Sequence, residues 1–412
     1  MIIIMVIFTV IAALILFGVY NRQEPKPVAR FMCFSDPSFC HLIIEGKAIP
    51  GFGTNQIEPV SARALENKRL QASFGIDNAF TSDHEPYVKR FKSKAKKRMQ
   101  AVDWDELSIF VQEQIRARLE RSATRGNPGE GVRLSSLVQV ISLLVVLVVL
   151  LQQKKESLMR MNRRLVRLAE EVTSAWISSK QDATCVKLED NPGLINALED
   201  VFPDINREDH LHNPLNFILP GFETLWRVVL RAIIEIRYRD NNVEWQNVAM
   251  KFASTPTSAQ FLLKDEGSNI SAKFLAHESL RLYPPTRRVH RAYKFAGYPD
   301  HFSLAADIEA CHISTAIWGA DAEAFRPERW ATVTSEQQKA YFPFGSGVFT
   351  CPAQSVFGPR VIMLLVGSFI TELQHWNMVA QDSEVMEALR LGKRLKNERQ
   401  SLDDLYIHKS IE

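Results

Sequence analysis

Cysteine, glycine and proline are scarce in this chain, and each scarcity excludes something. The five cysteines, Cys33, Cys40, Cys185, Cys311 and Cys351, are odd in number and widely scattered. They fit neither a disulfide framework nor the paired spacing of a zinc site. A reducing compartment is the simpler reading; in an oxidising one, Cys33 and Cys40 are the pair that could bridge. With 18 Gly and 19 Pro in 412 residues, and 46% apolar side chains, the chain is not low-complexity and can bury a large core. There is no internal repeat and no glycine-rich phosphate loop, because Gly51-Phe52-Gly53 lacks the rest of any dinucleotide fingerprint. A redox role would therefore draw its electrons from another protein. Net charge is only +3, so nothing in the totals argues for nucleic-acid binding.

Charge is also missing from Met1 to Tyr20. At about 1.5 Å per residue this run reaches about 30 Å, the thickness of a bilayer core. Arg22, Lys26 and Arg30 follow it, and no basic residue precedes it. The positive-inside rule then places Met1 in a lumen and the remainder in the cytosol. A second apolar run, Leu134 to Leu151, contains Gln139 and three serines and reads as a buried core helix.

What is present centres on Phe342 to Ala353, FPFGSGVFTCPA. Gly345 and Gly347 permit a tight turn, Phe344 offers a covering ring, and Cys351 stands just ahead of an apolar helical stretch from Ser355 to Leu373. Unpaired N–H groups and the positive end of a helix favour a thiolate there. Such a sulfur suits a single axial ligand for haem iron, where a thiolate favours O–O cleavage. The bland alternative is an ordinary buried cysteine ahead of a helix.

The spacing Phe344-x-x-Gly347-x-x-x-Cys351-x-Ala353 resembles the haem-binding signature of the cytochrome P450 monooxygenases. Three more segments follow the family's order. Glu278-Ser279-Leu280-Arg281 places a carboxylate and a guanidinium on one helix face. Leu282-Tyr283-Pro284-Pro285 ends that helix, and Asp307 to His312 and then Phe325-Arg326-Pro327-Glu328-Arg329-Trp330 come later. By this resemblance Glu278, Arg281 and Arg329 form a buried ionic triad. Pro220-Gly221-Phe222-Glu223-Thr224 is similar to the oxygen-groove motif of the central helix, with Thr224 bonding the oxygen ligand and Glu223 feeding protons through water. Pro220 departs from the motif and either kinks a helix or starts one. Arg291 resembles the strand residue that pairs with a haem propionate, and His290 beside it reads as a strand-face residue. Phe349 stands where the family usually has Arg or His, which removes one expected propionate partner.

The resemblance implies a mainly α fold with small β-sheets, shortened at the N-terminus and carrying one transmembrane helix. It divides the chain into an anchor (1–20), a linker with a shortened N-terminal region (21–68) and a haem-binding catalytic domain (69–412). It further implies haem b, O2, a small apolar substrate, an NADPH-dependent flavoprotein reductase, and anchorage in the endoplasmic reticulum membrane. AADIEACH and the late AsnGluArgGlnSerLeu look most like fungal members, which suggests a secondary-metabolite intermediate as substrate. A reductase-independent isomerase or dehydratase, and a truncated non-catalytic haem-binding protein, are the alternatives. The region from Ser174 to Asp209, which in the family shapes the substrate pocket, identifies nothing. Lys89 to Arg98, KRFKSKAKKR, carries seven basic residues. It reads as a solvated face, as a docking surface for an acidic electron donor, or as a contact with anionic lipid.

Overall fold

The computed structural model describes residues 31–410, apart from 126–130, 181–185, 207, 240–241 and 381–382. The expected anchor, Met1 to Tyr20, and Cys185 lie outside the described residues. Helices dominate, with two three-stranded sheets. The main elements in chain order begin with β1 (Phe31–Phe34), α1 (Pro37–Glu45), α2 (Pro59–Glu66), α3 (Glu85–Gln100), α4 (Trp104–Arg125), β2 (Val132–Arg133), α5 (Leu134–Val149) and α6 (Asn162–Ser178). They continue with α7 (Pro192–Val201), α8 (Leu215–Ile233), α9 (Val243–Ser254), α10 (Ala272–Leu282), β3 (Arg288–Tyr293), β4 (Phe302–Asp307), α11 (Gly358–Glu372), β5 (Trp376–Ala380) and β6 (Leu405–Lys409).

Local chemistry sets several of these boundaries. Asp36 caps α1 by accepting the Phe39 N–H at 3.0 Å, Pro37 opens the helix, and Gly46 ends it at φ 69°. Ser271 caps α10 through the Phe274 N–H. The run LSSLVQVISLLVVLVV is apolar all round, and α5 is accordingly buried on nearly every side against α6 and α8. At roughly 24 Å it is shorter than a bilayer core. Among the described residues no helix is long and apolar enough to cross a membrane.

Two small residues let the central helices close up. A Cβ on Gly221 would press on Val146 of α5 and on Leu150 at its C-terminal end at 3.0–3.2 Å. One on Gly367 of α11 would lie 2.1 Å from the Ala249 carbonyl of α9, so the helices cross there in backbone contact.

The first sheet runs β1-β4-β3, with β1 parallel to β4 (Phe31 beside Ser303) and β3 antiparallel to it (Arg288 beside Asp307). The second runs β2-β6-β5, all antiparallel. A small core under the first sheet joins Cys40, Ile43, Ile44 and Ile49 to Tyr293, Leu304 and Phe342. The N-terminal region is thus packed onto the strands that follow α10.

One expectation needs correction. The apolar stretch from Ser355 to Leu373 is not one helix: a four-residue helix, Ala353–Val356, stops at Phe357 (φ −145°), and α11 starts only at Gly358 with Pro359 in its first turn. Pro359 has no N–H for a preceding turn and forces this restart. Cys33 and Cys40 are both free thiols, as a reducing compartment would leave them. The Cys33 sulfur meets Asp307 Oδ2 at 3.7 Å, whereas Cys40 lies buried with its Sγ 3.7 Å from that of Cys311.

Candidate functional site

The cysteine loop is closed by its own backbone. Gly345 and Gly347 adopt φ values of 77° and 53°, which only glycine takes without strain. Gly345 N–H then reaches the Phe342 carbonyl at 3.0 Å, and Cys351 N–H reaches that of Phe344 at 2.8 Å. Ser346 fastens the loop to α1, donating to Glu45 Oε1 at 2.7 Å while its oxygen lies 2.6 Å from His41 Nδ1. The Phe344 ring rests on the start of α11, where a Cβ on Gly358 would come within 2.8 Å of it.

Cys351 is exposed by surface area, yet burial pushes its thiol above the ordinary range. Both hold for a sulfur that is open on one side and crowded by protein on the others. The Ala353 N–H and the charge of Lys92 pull the other way. Since α11 starts beyond Phe357, this local N–H, and not the end of a long helix, is what favours the anion.

On α8 one stripe stands apart. Phe217, Pro220, Gly221 and Thr224 are half-buried, and their neighbours on the other faces are buried. Pro220 sits inside the helix and not at its start. Thr224 Oγ1 donates to the Pro220 carbonyl at 2.7 Å. Glu223 is fully buried, with one oxygen accepting from Thr173 Oγ1 at 2.8 Å and the other from Arg399 Nε at 2.9 Å. Sequence reasoning saw the acid beside the alcohol but missed both partners, which come from α6 and the C-terminal segment.

Glu278, Arg281 and Arg329 meet in the interior. Arg281 binds Glu278 through two hydrogen bonds of 2.7 and 3.0 Å, and Arg329 Nε adds a third at 3.0 Å. Trp330 Nε1 and the Arg326 N–H take up the remaining acceptor positions, each at 2.9 Å. Arg281 also donates to the carbonyls of His312 and Ala322, so the cluster ties α10 to the segment before the cysteine loop.

Arg291 is buried and donates to the Ile44 and His290 carbonyls. Burial, with help from Arg63, draws its pKa down to about 9. Arg63 was missed: a lone arginine among the small residues of VSARALE gives no signal, yet it lies buried against Phe349. His290 is half-buried and is pushed down to about 4 by burial and nearby cations.

The basic run forms most of α3. Lys92 turns inward to the Val348 carbonyl at 2.8 Å, and Arg98 bonds the Leu150 carbonyl. Lys94, Lys96 and Lys97 remain exposed.

Residues 273–358, which hold both the Glu278 cluster and Cys351, match the family model of cytochrome P450. The chain is similar to cytochrome P450 CYP72A616 of Paris polyphylla, 39% identical over 89 residues (19% of this chain, 17% of that one). It is similar to CYP749A22 of Panax ginseng, 36% identical over 162 residues (36% and 30%). It also resembles the 11-oxo-beta-amyrin 30-oxidase of Glycyrrhiza uralensis, 34% identical over 111 residues (24% and 21%). These matches span less than a third of each relative's length. Among solved structures, the heme domain of cytochrome P450DA aligns with a TM-score of 0.60 at 16% identity, over 92% of this chain and 87% of that one. The fold is that of the cytochromes P450. The family-model match and the relatives support membership of the same family.

The P450 fold implies a haem, iron protoporphyrin IX, and the residues fit one. Cys351 offers an open sulfur at the end of a fastened loop. Among the described residues Arg63 and Arg291 are buried guanidiniums that form no ion pair, and Nε and Nη2 of Arg63 have no hydrogen-bond partner there. Buried cations of that kind call for an anion, and haem carries two carboxylates.

Proposed function

We propose that this protein is a haem-thiolate monooxygenase that inserts one atom of O2 into a small apolar molecule. The observation that carries the reading is Cys351: an open but crowded sulfur closing a glycine-turned loop, inside the stretch that matches the P450 family model. Haem held by a cysteine thiolate supplies oxygen activation.

The chain's own groups have separate tasks. Cys351 holds the cofactor, and the Ala353 N–H and Lys92 favour its anion. Thr224 spends its proton on the Pro220 carbonyl, which leaves its oxygen lone pairs free on the half-buried stripe of α8. Each carboxylate oxygen of Glu223 accepts one bond, from Thr173 or from Arg399, and keeps a second acceptor position for a relayed proton. The Glu278, Arg281 and Arg329 cluster supports the fold beneath the loop.

Electrons would come from an NADPH-dependent flavoprotein reductase docking on α3. Met1 to Tyr20 would anchor the protein in the endoplasmic reticulum membrane. An 11-oxo-beta-amyrin 30-oxidase and a cytokinin hydroxylase among the relatives support oxygen insertion as the reaction. The relatives named are from plants, so a fungal secondary-metabolite role rests on AADIEACH and AsnGluArgGlnSerLeu alone.

The engaged Glu223 favours a second reading, a haem-thiolate isomerase or dehydratase that needs no reductase. One experiment separates them. Reduced protein with carbon monoxide should give the red-shifted thiolate Soret band, lost in Cys351→Ser, and turnover should require reductase. An imidazole-type spectrum would remove Cys351 as ligand; turnover without an electron donor would select the isomerase.

A further inference from the structure

Two cations meet at one ring in the last turn of α6. The Lys180 ammonium lies 5.8 Å from the centre of the Trp176 ring, and the guanidinium carbon of Arg399, from the C-terminal segment, lies 4.9 Å from it. Phe74 borders the same ring, with centres 6.2 Å apart. Among the described residues a single carboxylate pairs with these charges: Glu223 accepts from Arg399 Nε at 2.9 Å. The Lys180 ammonium makes no hydrogen bond or ion pair there, and Nη1 and Nη2 of Arg399 make no hydrogen bond. Trp176 Nε1 is buried and likewise has no partner among those residues.

Charge around Lys180 is out of balance. The side chain keeps exposed surface, yet burial and then the charges of Arg399, Arg227 and Arg69 draw its pKa down to about 7, while Glu223 acts the other way. Arg227 donates to the carbonyls of Pro285 and Asn397, which carry no charge to offset its own. The face of an indole attracts cations but offers no acceptor to their N–H groups. With Nε on Glu223, Arg399 still presents the paired Nη1 and Nη2 edge, which matches the two oxygens of a carboxylate. The Trp176 and Phe74 walls are apolar, so a singly charged group leaves water for this place at less cost than a doubly charged phosphate.

We propose that Lys180 and Arg399 form a subsite for the carboxylate of an amphipathic substrate, an apolar body carrying one acidic group. Glu223 positions Arg399 for this, because its bond to Nε leaves the Nη1 and Nη2 edge to the ligand and ties the subsite to α8 next to Thr224. The inference narrows the substrate of the oxygen-insertion reading, on which it rests.

Equilibrium dialysis of the full-length protein as purified tests it with matched probes, dodecanoate against dodecanol and adamantane carboxylate against adamantyl methanol. The assay is run at about pH 6, where a carboxylate is ionised and Lys180 is charged. In wild type at least one acid should bind about tenfold tighter than its alcohol, the scale of one charge-assisted hydrogen bond. Lys180→Met and Arg399→Gln should each remove most of that preference and leave alcohol binding unchanged, whereas Lys180→Arg should keep it. Lys180→Met alters an exposed side chain and should melt as wild type does. Absence of any acid preference in wild type, absence of acid binding included, would overturn the proposal. So would a preference that survives both Lys180→Met and Arg399→Gln, which would make Lys180 a plain solvated lysine. The carbon monoxide spectrum of the same preparation keeps the two readings apart. A thiolate band without acid preference sinks this inference alone; acid preference without the band sinks oxygen insertion and leaves carboxylate binding standing.

Discussion

Asn78 donates its side-chain amide to the backbone carbonyl of Asn216 at 3.1 Å. That carbonyl lies four residues before Pro220, which has no N–H to offer it. The proline inside α8 is therefore tolerated because another segment completes the broken rung. Asn78→Ala should cost about 1–3 kcal/mol, the penalty for a buried unsatisfied carbonyl. Denaturant melts measure this. Pro220→Ala in the same background should recover much of the loss, and no recovery would mean that the carbonyl is not the source.

Glu278 accepts hydrogen bonds from Arg281, Arg329, Trp330 and the Arg326 backbone in a fully buried site. Glu278→Ala leaves Arg281 buried with no carboxylate and Arg329 with Asp321 alone, at 3.4 Å, and should destabilise by about 3–5 kcal/mol. Soluble yield and the thermal midpoint report it. A variant that melts like wild type would show that the cluster carries little of the fold's stability.

Acid should unfold the protein through its buried histidines. His312 is fully buried and pushed down to about 3 by burial and the neighbouring Arg281; His277 is pushed down to about 4 by burial. In the unfolded chain both bind a proton near pH 6.5. Their contribution is therefore complete above about pH 6.5 and is lost as pH falls toward the folded values. Thermal midpoints should drop steadily between pH 6.5 and 4.5, and His312→Gln should flatten the slope. A midpoint independent of pH in that window would contradict this.

Reversing Lys94, Lys96 and Lys97 to Glu changes only exposed side chains of α3. Reduction by a flavoprotein reductase should slow several-fold, and raised salt should imitate it, since exposed charges are screened within about 8–10 Å at physiological ionic strength. The ferric spectrum should not change. Equal reduction rates would make α3 a solvated face and nothing more.

Legibility followed locality. The meeting of Glu278 with Arg281 could be read from helix spacing, and the turns at Gly345 and Gly347 from residue type. Arg329, 51 residues from Glu278, came into view only through the family's order of segments. The partners of Glu223 and the position of Arg63 were hidden because each depends on contacts between segments far apart in the chain, with no periodicity to announce them. The break at Phe357 had a signal that the apolar pattern masked: Gly358-Pro359 is a helix start written inside a hydrophobic run.

The parallel pairing of β1 with β4 sets an order on biosynthesis. Residues 31–34 leave the ribosome long before residues 303–306, which are their only strand neighbour among the described residues. Until that later stretch emerges, β1 has an unpaired edge and α1 has no core to cover its buried face. Loop closure over so long a separation is slow. The earliest described segment is thus among the last to be secured, and a nascent chain paused before β4 would be exposed to chaperones and proteases at that edge.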